Sequence, residues 1–382
     1  MADLNMNEAL KRKLLLFRQE LHQHPELSGQ EKSTSKKIQA YFKSLNPTEI
    51  ITHIGGEGIA IIFRGTAKGP TTLIRCELDA LPIVEENNIS YKSRYLGKSH
   101  ACGHDGHMAI VCGVGEALSV TPPKKGRVIL LFQPAEETGQ GAAQVLKSLS
   151  FTPLQPDYAF ALHNLPGYKK NEIILKKGAF SAASKGMEIQ LKGRTSHAAF
   201  PEDGNSPAEA MSRIIMGLQK LPVTIENFSL VTVVNAVLGE IAFGTTPSEA
   251  IIRSTLRSFE DHVMDELTRK SEFLIHQIAE EYGLTITIEY KECFNATKSH
   301  PEAHDFVNSA AAQLNLEISY PSTPFRWSED FGQFSRVTKT MLFGIGAGYD
   351  QPQLHEAVYD FPDDIIPTGV EMFTSIIRQI NG

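Results

Sequence analysis

The sequence has little cysteine, no long apolar run and no surplus of positive charge. Its four cysteines among 382 residues have no framework spacing, so a disulfide-stabilised domain is not expected and the thiols should be reduced. No run of about 18 apolar residues occurs, so no membrane span is expected. Lys and Arg number 37 against 44 Asp and Glu, and the net charge of −7 argues against a nucleic-acid-binding surface.

The first residues of the chain also lack the pattern of a signal peptide. Charged residues occur in residues 1–16, where a signal peptide would need its apolar stretch, and we therefore expect a cytoplasmic protein. Internal repeats and low-complexity segments are absent from the sequence as well. A chain of 382 residues exceeds the usual size of one compact core, so two domains are expected.

The N-terminal part of the chain alternates helix-like and strand-like segments. Helical periodicity occurs over residues 6–22, 33–45, 105–118 and 140–149, and strand-like apolar runs cover Ile59–Arg64, Thr72–Cys76, Val128–Phe132 and Tyr158–Leu162. This alternation is typical of an α/β sheet with helices on its faces.

The pattern changes near Ala182. The segments that follow indicate strands at Lys185–Leu191, Ser229–Val234, Ile251–Leu256 and Leu284–Tyr290, with helices at Pro207–Leu221 and Asp261–Tyr282. This α+β stretch has few candidate metal ligands, and helix–strand alternation resumes after about Phe294. We therefore predict a catalytic α/β domain made of residues 1–181 and 294–382, with an α+β domain, residues 182–293, inserted between its two parts.

Three of the predicted N-terminal strands are followed closely by residues that can bind a metal ion or a proton. These residues are Asp79, the adjacent pair Glu136 and Glu137, and His163. In open α/β sheets, ligands bind outside the carboxyl ends of the strands. Separate stretches of the sequence are therefore predicted to converge on one site.

A thiol and three imidazoles lie within the eight residues from His100 to His107. Cys102 and His104 are two apart in a predicted loop, where both side chains can face one ion, although one Cys-x-His is weak evidence alone. We expect a structural role for His107, on the helix that follows. Asp105 either caps this helix or orients a ligand, and the sequence leaves both interpretations open.

The adjacent carboxylates Glu136 and Glu137 also allow two interpretations. Cys, His and Glu are the ligand types of zinc-like divalent ions, and a spare carboxylate beside a ligand can accept a proton from a water. Alternatively, the pair complements the dipole of a following helix. The spacing alone leaves both interpretations open, and a metal-dependent hydrolase is the first hypothesis.

An ordered set of motifs extends over nearly the whole chain. The motifs are Glu77 to Pro82, His100 to His107, Gln133 to Glu137, Ala161 to Asn164, Gly193 to Ala199, and Leu354 to Glu356. In these motifs the chain resembles the M20 metallopeptidase family, specifically its amidohydrolase branch of hippurate hydrolases, aminoacylases and auxin-conjugate hydrolases. The resemblance implies a catalytic α/β domain with an inserted lid or dimerisation domain, and a site for two divalent ions.

The resemblance also implies roles for individual residues of this chain. Cys102 matches a cysteine that binds the metals as a bridging thiolate, and the other matched ligands are His104, Glu137, His163 and His355. Zinc or manganese fits this donor set, with cobalt and nickel as further candidates.

Three more residues match groups of the family that do not bind metal. Glu136 matches the general base, and Asp79 matches an acid that steadies a ligand imidazole. His197 matches a lid histidine that helps polarise the scissile carbonyl and reaches the site of a partner subunit in a symmetric dimer. The chain departs from the family at Gly244, where Asn is usual, and at Glu77, where Asp is usual.

These observations together predict a cytoplasmic dinuclear-metal amidohydrolase. It would cleave the amide bond of N-acyl amino acids or similar small conjugates, and it would form a homodimer or higher homo-oligomer with no nucleic-acid or membrane partner. The alternatives are a dipeptidase or carboxypeptidase with the same chemistry, or a non-catalytic metal-binding protein on this fold. Retention of both Glu136 and Glu137 argues against the last, because a pure binding site has no need of a base.

Overall fold

The computed structural model describes residues 6–382. Residues 1–5, which belong to the predicted segment 1–181 and to the N-terminal stretch 1–16, lie outside the described residues. The described chain divides into two compact units: residues 6–180, 297–323 and 330–382 form the first, and residues 181–296 and 324–329 form the second. Within residues 6–382 no helix is both long enough and apolar enough to cross a membrane.

The chain begins with most of the first unit. The helices of this stretch are α1 (Glu8–Gln23), α2 (Lys32–Lys43), α3 (His104–Val120) and α4 (Gly141–Lys147). Its strands are β1 (Glu49–Ile54), β2 (Gly58–Arg64), β3 (Ala67–Glu77), β4 (Lys125–Gln133), β5 (Tyr158–Pro166), β6 (Ile173–Ile174) and β7 (Gly178–Ser181).

The second unit follows, and the chain then returns to the first. The second unit contains β8 (Ala183–Lys192), α5 (Ala208–Lys220), β9 (Ser229–Leu238), β10 (Glu249–Ser258), α6 (Asp261–Glu281) and β11 (Thr285–Phe294). The returning chain adds β12 (Thr297–Ser299), α7 (Pro301–Gln313), β13 (Ile318–Ser319), β14 (Lys339–Gly348) and α8 (Ile366–Asn381).

The first unit is built on one sheet whose central strands are parallel. The strand order is β1-β2-β4-β3-β5-β14-β6-β13, and β4, β3, β5 and β14 run parallel to one another as neighbours. Their central residues are buried apolar runs rather than alternating patterns, as expected for strands covered on both faces. The carboxyl ends of these four strands therefore lie along the same edge of the sheet.

Helix α3 packs closely against other helices of the first unit because two of its positions are glycine. A Cβ atom on Gly113 would lie 2.5 Å from the Val370 side chain on α8, and one on Gly115 would lie 2.2 Å from the Phe42 ring on α2. Any larger side chain would force these helices apart. The close packing fixes the N-terminal end of α3, which carries His104.

The second unit has a four-stranded antiparallel sheet in the order β11-β8-β10-β9. Residues of β10 alternate between buried and more exposed positions, and the amphipathic helices α5 and α6 pack on the sheet. The predicted fold class is confirmed: an α/β sheet unit is interrupted by a unit of α+β character.

Candidate metal centre

Residues delivered by four neighbouring parallel strands of the first unit come together. Asp79 follows β3, Glu136 and Glu137 follow β4, His163 lies within β5, and His355 follows β14. His163 was expected just beyond its strand, but β5 continues to Pro166, and His163 pairs in register with Gly344. The sheet edge therefore collects residues that are up to 276 positions apart in sequence, from Asp79 to His355.

A tight turn places Cys102 and His104 at the start of α3. Gly103, between them, has a left-handed backbone with φ of 91°, and a Cβ atom there would lie 2.7 Å from the Asn164 side chain. Both side chains are buried, with Cys102 only 6% exposed. The Cys102 Sγ atom lies 3.5 Å from Nε2 of His163.

Main-chain carbonyls fix the tautomers of two imidazoles. His104 Nδ1 donates to the Asp79 carbonyl at 2.9 Å, and His163 Nδ1 donates to the Asn164 carbonyl at 2.9 Å. Because a carbonyl oxygen can only accept, Nε2 of each neutral ring keeps its lone pair. Burial lowers the pKa of His163 to about 3 and holds the pKa of His104 well below its usual range, so both rings are neutral.

The adjacent carboxylates approach the same imidazole. His104 Nε2 lies 3.9 Å from Glu136 Oε2 and 3.8 Å from Glu137 Oε1, and Nε2 of His355 lies 3.7 Å from Glu137 Oε2. The pair lies in the turn before α4, whose first turn contains no acidic residue. The interpretation of the pair as acids at a helix N-terminus is therefore wrong.

Two donor groups share the Cys102 sulfur. The first group is Cys102, His104 and His163, and the second is Cys102, Glu137 and His355. Within each group the ligand atoms lie within 4.8 Å of one another. A third group of this kind contains His104 with both carboxylates, Glu136 and Glu137. The buried Nε2 of His104 has no hydrogen-bond partner among residues 6–382. An unbonded imidazole nitrogen within a set of thiol, imidazole and carboxylate donors fits a zinc-like divalent ion.

Backbone strain is present at this centre. Ala135, directly before the carboxylate pair, has a φ of 51°, and His355 has a φ of 69°. The left-handed conformation costs a residue with a Cβ atom about 1–2 kcal/mol, so the surrounding contacts must hold it. The His355 N–H donates to the Ala101 carbonyl at 2.8 Å, and the Ala135 N–H donates to the Glu31 carboxylate at 2.8 Å.

Asp330 contacts the carboxylate pair, although no motif in the sequence analysis marks it as a site residue. It begins a 3-10 helix at Asp330–Arg336, and its buried carboxylate accepts from Arg75 at 2.7 Å, from Gln133 at 2.9 Å and from the Ala142 N–H at 2.8 Å. The Asp330 N–H donates to Glu136 Oε1 at 3.4 Å. Asp330 therefore links the carboxylate pair to the buried interior of the sheet.

The ionic chain continues from Arg75 to His107. Glu77 forms a buried ion pair with Arg75, and its other oxygen lies 2.7 Å from His107 Nδ1. Nε2 of His107 lies 2.5 Å from Asn164 Oδ1. Both nitrogens of His107 are thus engaged, which agrees with a structural role. Glu77, where the family usually has Asp, contacts both Arg75 and His107.

Asp105 neither caps α3 nor contacts a ligand imidazole by hydrogen bonding. Gly103 is at the N-cap position, and Asp105 Oδ2 lies 2.9 Å from Arg18 Nε and 2.8 Å from His22 Nδ1. All three charged side chains are fully buried. No motif in the sequence marks Arg18 or His22 as members of this cluster, because their spacing on α1 is that of ordinary core positions.

His197 belongs to the second unit and lies in an exposed loop. Its Nδ1 accepts from the Ala199 N–H at 3.0 Å, so the proton is on Nε2, which is the donor that a carbonyl oxygen requires. The neighbouring Ala198 N–H donates to the Gly244 carbonyl at 3.0 Å. Nothing lies within 4 Å of the place a Cβ atom would occupy on Gly244, so open space remains where the family usually has Asn.

Comparison with known proteins places these features in context. The family model described as peptidase family M20/M25/M40 matches residues 73–379. The N-acetyl-L-cysteine deacetylase of Bacillus subtilis is 30% identical over 379 residues, which cover 97% of this chain and 89% of that protein. The hippurate hydrolase of Campylobacter jejuni is 29% identical over 367 residues, which cover 94% of each chain.

A solved structure shows the same architecture. The YxeP protein of Bacillus subtilis, described as a dinuclear metal binding peptidase from the M20 family, superposes with a TM-score of 0.84 at 25% sequence identity. The match covers 98% of this chain and 99% of that chain.

Proposed function

The chain belongs to peptidase family M20/M25/M40 and is a metal-dependent amidohydrolase, and we propose that its substrates are N-acyl amino acids or similar small conjugates. The deacetylase and hippurate hydrolase relatives support this substrate class. The observation that carries the hydrolytic chemistry is the approach of two adjacent carboxylates, Glu136 and Glu137, to the same unbonded nitrogen of His104. A binding site needs one of them as a ligand. The second is not needed as a ligand, and a carboxylate in that position can accept a proton.

The residues divide into ligands and groups that act on the substrate. We assign two divalent ions, zinc or manganese, to Cys102, His104, Glu137, His163 and His355, with cobalt and nickel as further candidates. When bound, the ions supply the Lewis acidity that makes a water nucleophilic at neutral pH.

Glu136 is the proposed general base. The residue is only 5% exposed, and its carboxylate is placed to take the proton of the attacking water and to deliver it to the leaving nitrogen. Asp79 steadies the site twice: its carbonyl orients His104, and its carboxylate accepts the Glu137 N–H at 3.0 Å. His197 Nε2–H is the proposed donor to the carbonyl oxygen of the substrate, where negative charge develops.

We also infer a homodimer that forms through the inserted domain, residues 182–293. Strand β9 lies at the edge of its sheet, and an unpaired strand edge can pair with a second copy. Val234, Val237, Ile241 and Phe243, on and after this strand, are exposed. In a symmetric dimer each subunit would lend His197 to the site of the other.

A reducing compartment suits this chemistry, and we propose a cytoplasmic location. None of the four cysteines, all of which lie in the described residues, forms a disulfide, and Cys102 can bind a metal only as a reduced thiolate.

The experiment that tests the proposal replaces the base and keeps the ligands. Glu136→Gln should lower turnover roughly 10²- to 10⁴-fold while the metal content stays near that of the wild type. Activity is measured on a panel of N-acyl amino acids and dipeptides with zinc or manganese supplied, and metal content is measured by elemental analysis. Glu280→Gln, the same change at an exposed position of α6, is the matched control and should behave as wild type.

Three outcomes would contradict parts of the proposal. Loss of the metals together with activity would make Glu136 a ligand and reverse the assignment of the two carboxylates. Cleavage of dipeptides in preference to N-acyl amino acids would identify a peptidase. A metal-loaded wild-type protein that cleaves nothing on the panel would favour the non-catalytic alternative.

A further inference from the structure

The side chain of Glu31 is fully buried and reaches far from its own helix. Its Oε1 atom accepts the Ala135 N–H at 2.8 Å and the Gly29 N–H at 2.9 Å. Glu31 is at the N-cap position of α2, yet its side chain forms no capping bond. Glu26 supplies the cap instead, since its carboxylate accepts the Thr34 N–H at 2.7 Å and the Ser33 N–H at 3.1 Å. Helix capping therefore does not account for Glu31.

The residue that Glu31 holds controls the direction of the carboxylate pair. Ala135 has the left-handed φ of 51°, which a residue with a Cβ atom adopts only under constraint. The chain leaves β4 at Gln133 and turns at Ala135, so Glu136 and Glu137 can both approach His104. In a continued strand, adjacent side chains would point to opposite faces.

A second buried carboxylate holds the same turn two residues later. Asp79 Oδ2 accepts the Glu137 N–H at 3.0 Å and the Ser28 hydroxyl at 2.6 Å. The N–H groups of residues 135 and 137 are thus each bound by a carboxylate, and the residue between them is the proposed base. Ser28 and Glu31 belong to the same short segment before α2, so one segment supports the turn at both points.

We propose that Glu31 is a positioning residue: by holding Ala135 in the left-handed conformation, it directs Glu137 to the ligand position and Glu136 to the base position. This inference rests on the proposed function.

A purely structural role explains Glu31 poorly. Its Oε2 atom is buried and has no hydrogen-bond partner among the described residues, so the protein retains a costly polar group in its interior. Burial raises the pKa of Glu31, as expected for a carboxyl group removed from water. Strained backbone of this kind is concentrated at functional sites.

The test combines variants of Glu31 with a variant of the residue it holds. Glu31→Ala should lower kcat, and should weaken the equilibrium affinity of the metal-free protein for Zn²⁺, each by roughly 10- to 100-fold, the usual range for residues that orient ligands. Zn²⁺ affinity is measured by competition with a chelating dye. Because glycine adopts positive φ freely, the loss of kcat and of Zn²⁺ affinity on removal of Glu31 should be several-fold smaller in the Ala135→Gly background.

Two further variants separate the reach of the side chain from its charge. Glu31→Gln keeps an oxygen at the same distance and should retain most of the kcat and of the Zn²⁺ affinity. Glu31→Asp keeps the charge but is one methylene shorter, so it should resemble Glu31→Ala. If Glu31→Ala does not fold, the comparison of Glu31→Gln with Glu31→Asp tests the proposal without it. Higher kcat and Zn²⁺ affinity in Glu31→Asp than in Glu31→Gln would overturn the proposal.

Glu26→Ala is the matched control, because it removes the cap of the same helix without touching Ala135. It should lower the unfolding temperature and leave kcat and Zn²⁺ affinity unchanged. The proposal is overturned if Glu31→Ala only lowers the unfolding temperature as Glu26→Ala does, or if its cost is equal in both Ala135 backgrounds. If Glu136→Gln is inactive but keeps its metals, while the Glu31 variants behave as wild type, the inference about Glu31 is rejected and the proposed function stands. Metal loss in Glu136→Gln would instead reject the assignment of the pair.

Discussion

The four cysteines of the chain have different surroundings, which makes the proposed thiolate ligand testable by chemistry. Cys102 is 6% exposed and lies beside His163, whereas Cys293 is exposed. Cys76 and Cys112 are buried, and burial raises the pKa of both thiols well above the usual range. Only Cys102 should therefore change its reactivity with metal content.

A thiol reagent should label Cys102 slowly in the metal-loaded protein and much faster after chelation, because a coordinated thiolate is shielded. Peptide mapping by mass spectrometry measures the labelling of each cysteine. Cys293 is the internal control and should react at the same rate in both states. Equal rates for Cys102 in both states, with its labelling confirmed in the unfolded protein, would count against ligation.

Residues with a local signature could be predicted from the sequence, and residues with distant partners could not. Glu136 and His163 come at the end of apolar runs, which short-range patterns reveal. The bond from Ala135 to Glu31 spans 104 positions, and the ion pair of Arg75 with Asp330 spans 255. No periodicity marks such partners, since only the tertiary fold brings them together.

At the scale of elements, a buried ionic cluster fastens α1 to the start of α3. Arg18 and His22, one turn apart on α1, both bind the Asp105 carboxylate, and Arg18 also pairs with Asp360. Burial alone lowers the pKa of His22, but Asp105 and Glu85 raise it to about 9. Buried charges are tolerated here because they are paired.

This shifted pKa predicts a pH dependence of stability. Protonated His22 stabilises the fold fully below its ordinary pKa of 6.5, and this contribution is lost as the pH rises through about 9. The loss should be on the order of 3 kcal/mol in the free energy of unfolding. It is measured by urea unfolding of the metal-free protein between pH 6 and pH 10.

The substitution His22→Gln should remove this component, whereas His276→Gln, at an exposed position of α6, should keep it. An unchanged pH profile in His22→Gln would assign the titration to another group.

The boundaries of elements were predicted less well than their existence, for identifiable reasons. β3 begins at Ala67 rather than near Thr72, because its first residues are exposed and carry no apolar signal. β5 continues through His163 and Asn164, where polar residues end the apolar run although the backbone remains paired. An apolar pattern reports burial, and a strand extends wherever its hydrogen bonds continue.

At the scale of the whole molecule, the exchange of His197 between subunits can be tested by complementation. His197→Ala and Glu136→Gln should each be nearly inactive as pure dimers. A heterodimer of the two, isolated with two different tags, should contain one site with both intact groups and regain about half the wild-type activity.

Subunit exchange between two batches of Glu136→Gln carrying different tags is the control and should recover nothing. Isolated heterodimers that remain inactive would show that His197 serves its own subunit or has no catalytic role.

The position of β14 in the sheet has a consequence for biosynthesis. β14 lies between β5 and β6, yet residues 167–338 separate it from β5 in the chain. A nascent polypeptide on the ribosome can neither complete the sheet nor contain His355 until β14 and the loop after it have been synthesised. Cys102, His104 and His163 are all synthesised long before that point. Under the proposed assignment of ligands, the complete ligand set therefore exists only after synthesis of β14 and the loop that follows it, and a product truncated before His355 should bind Zn²⁺ more weakly than the full chain.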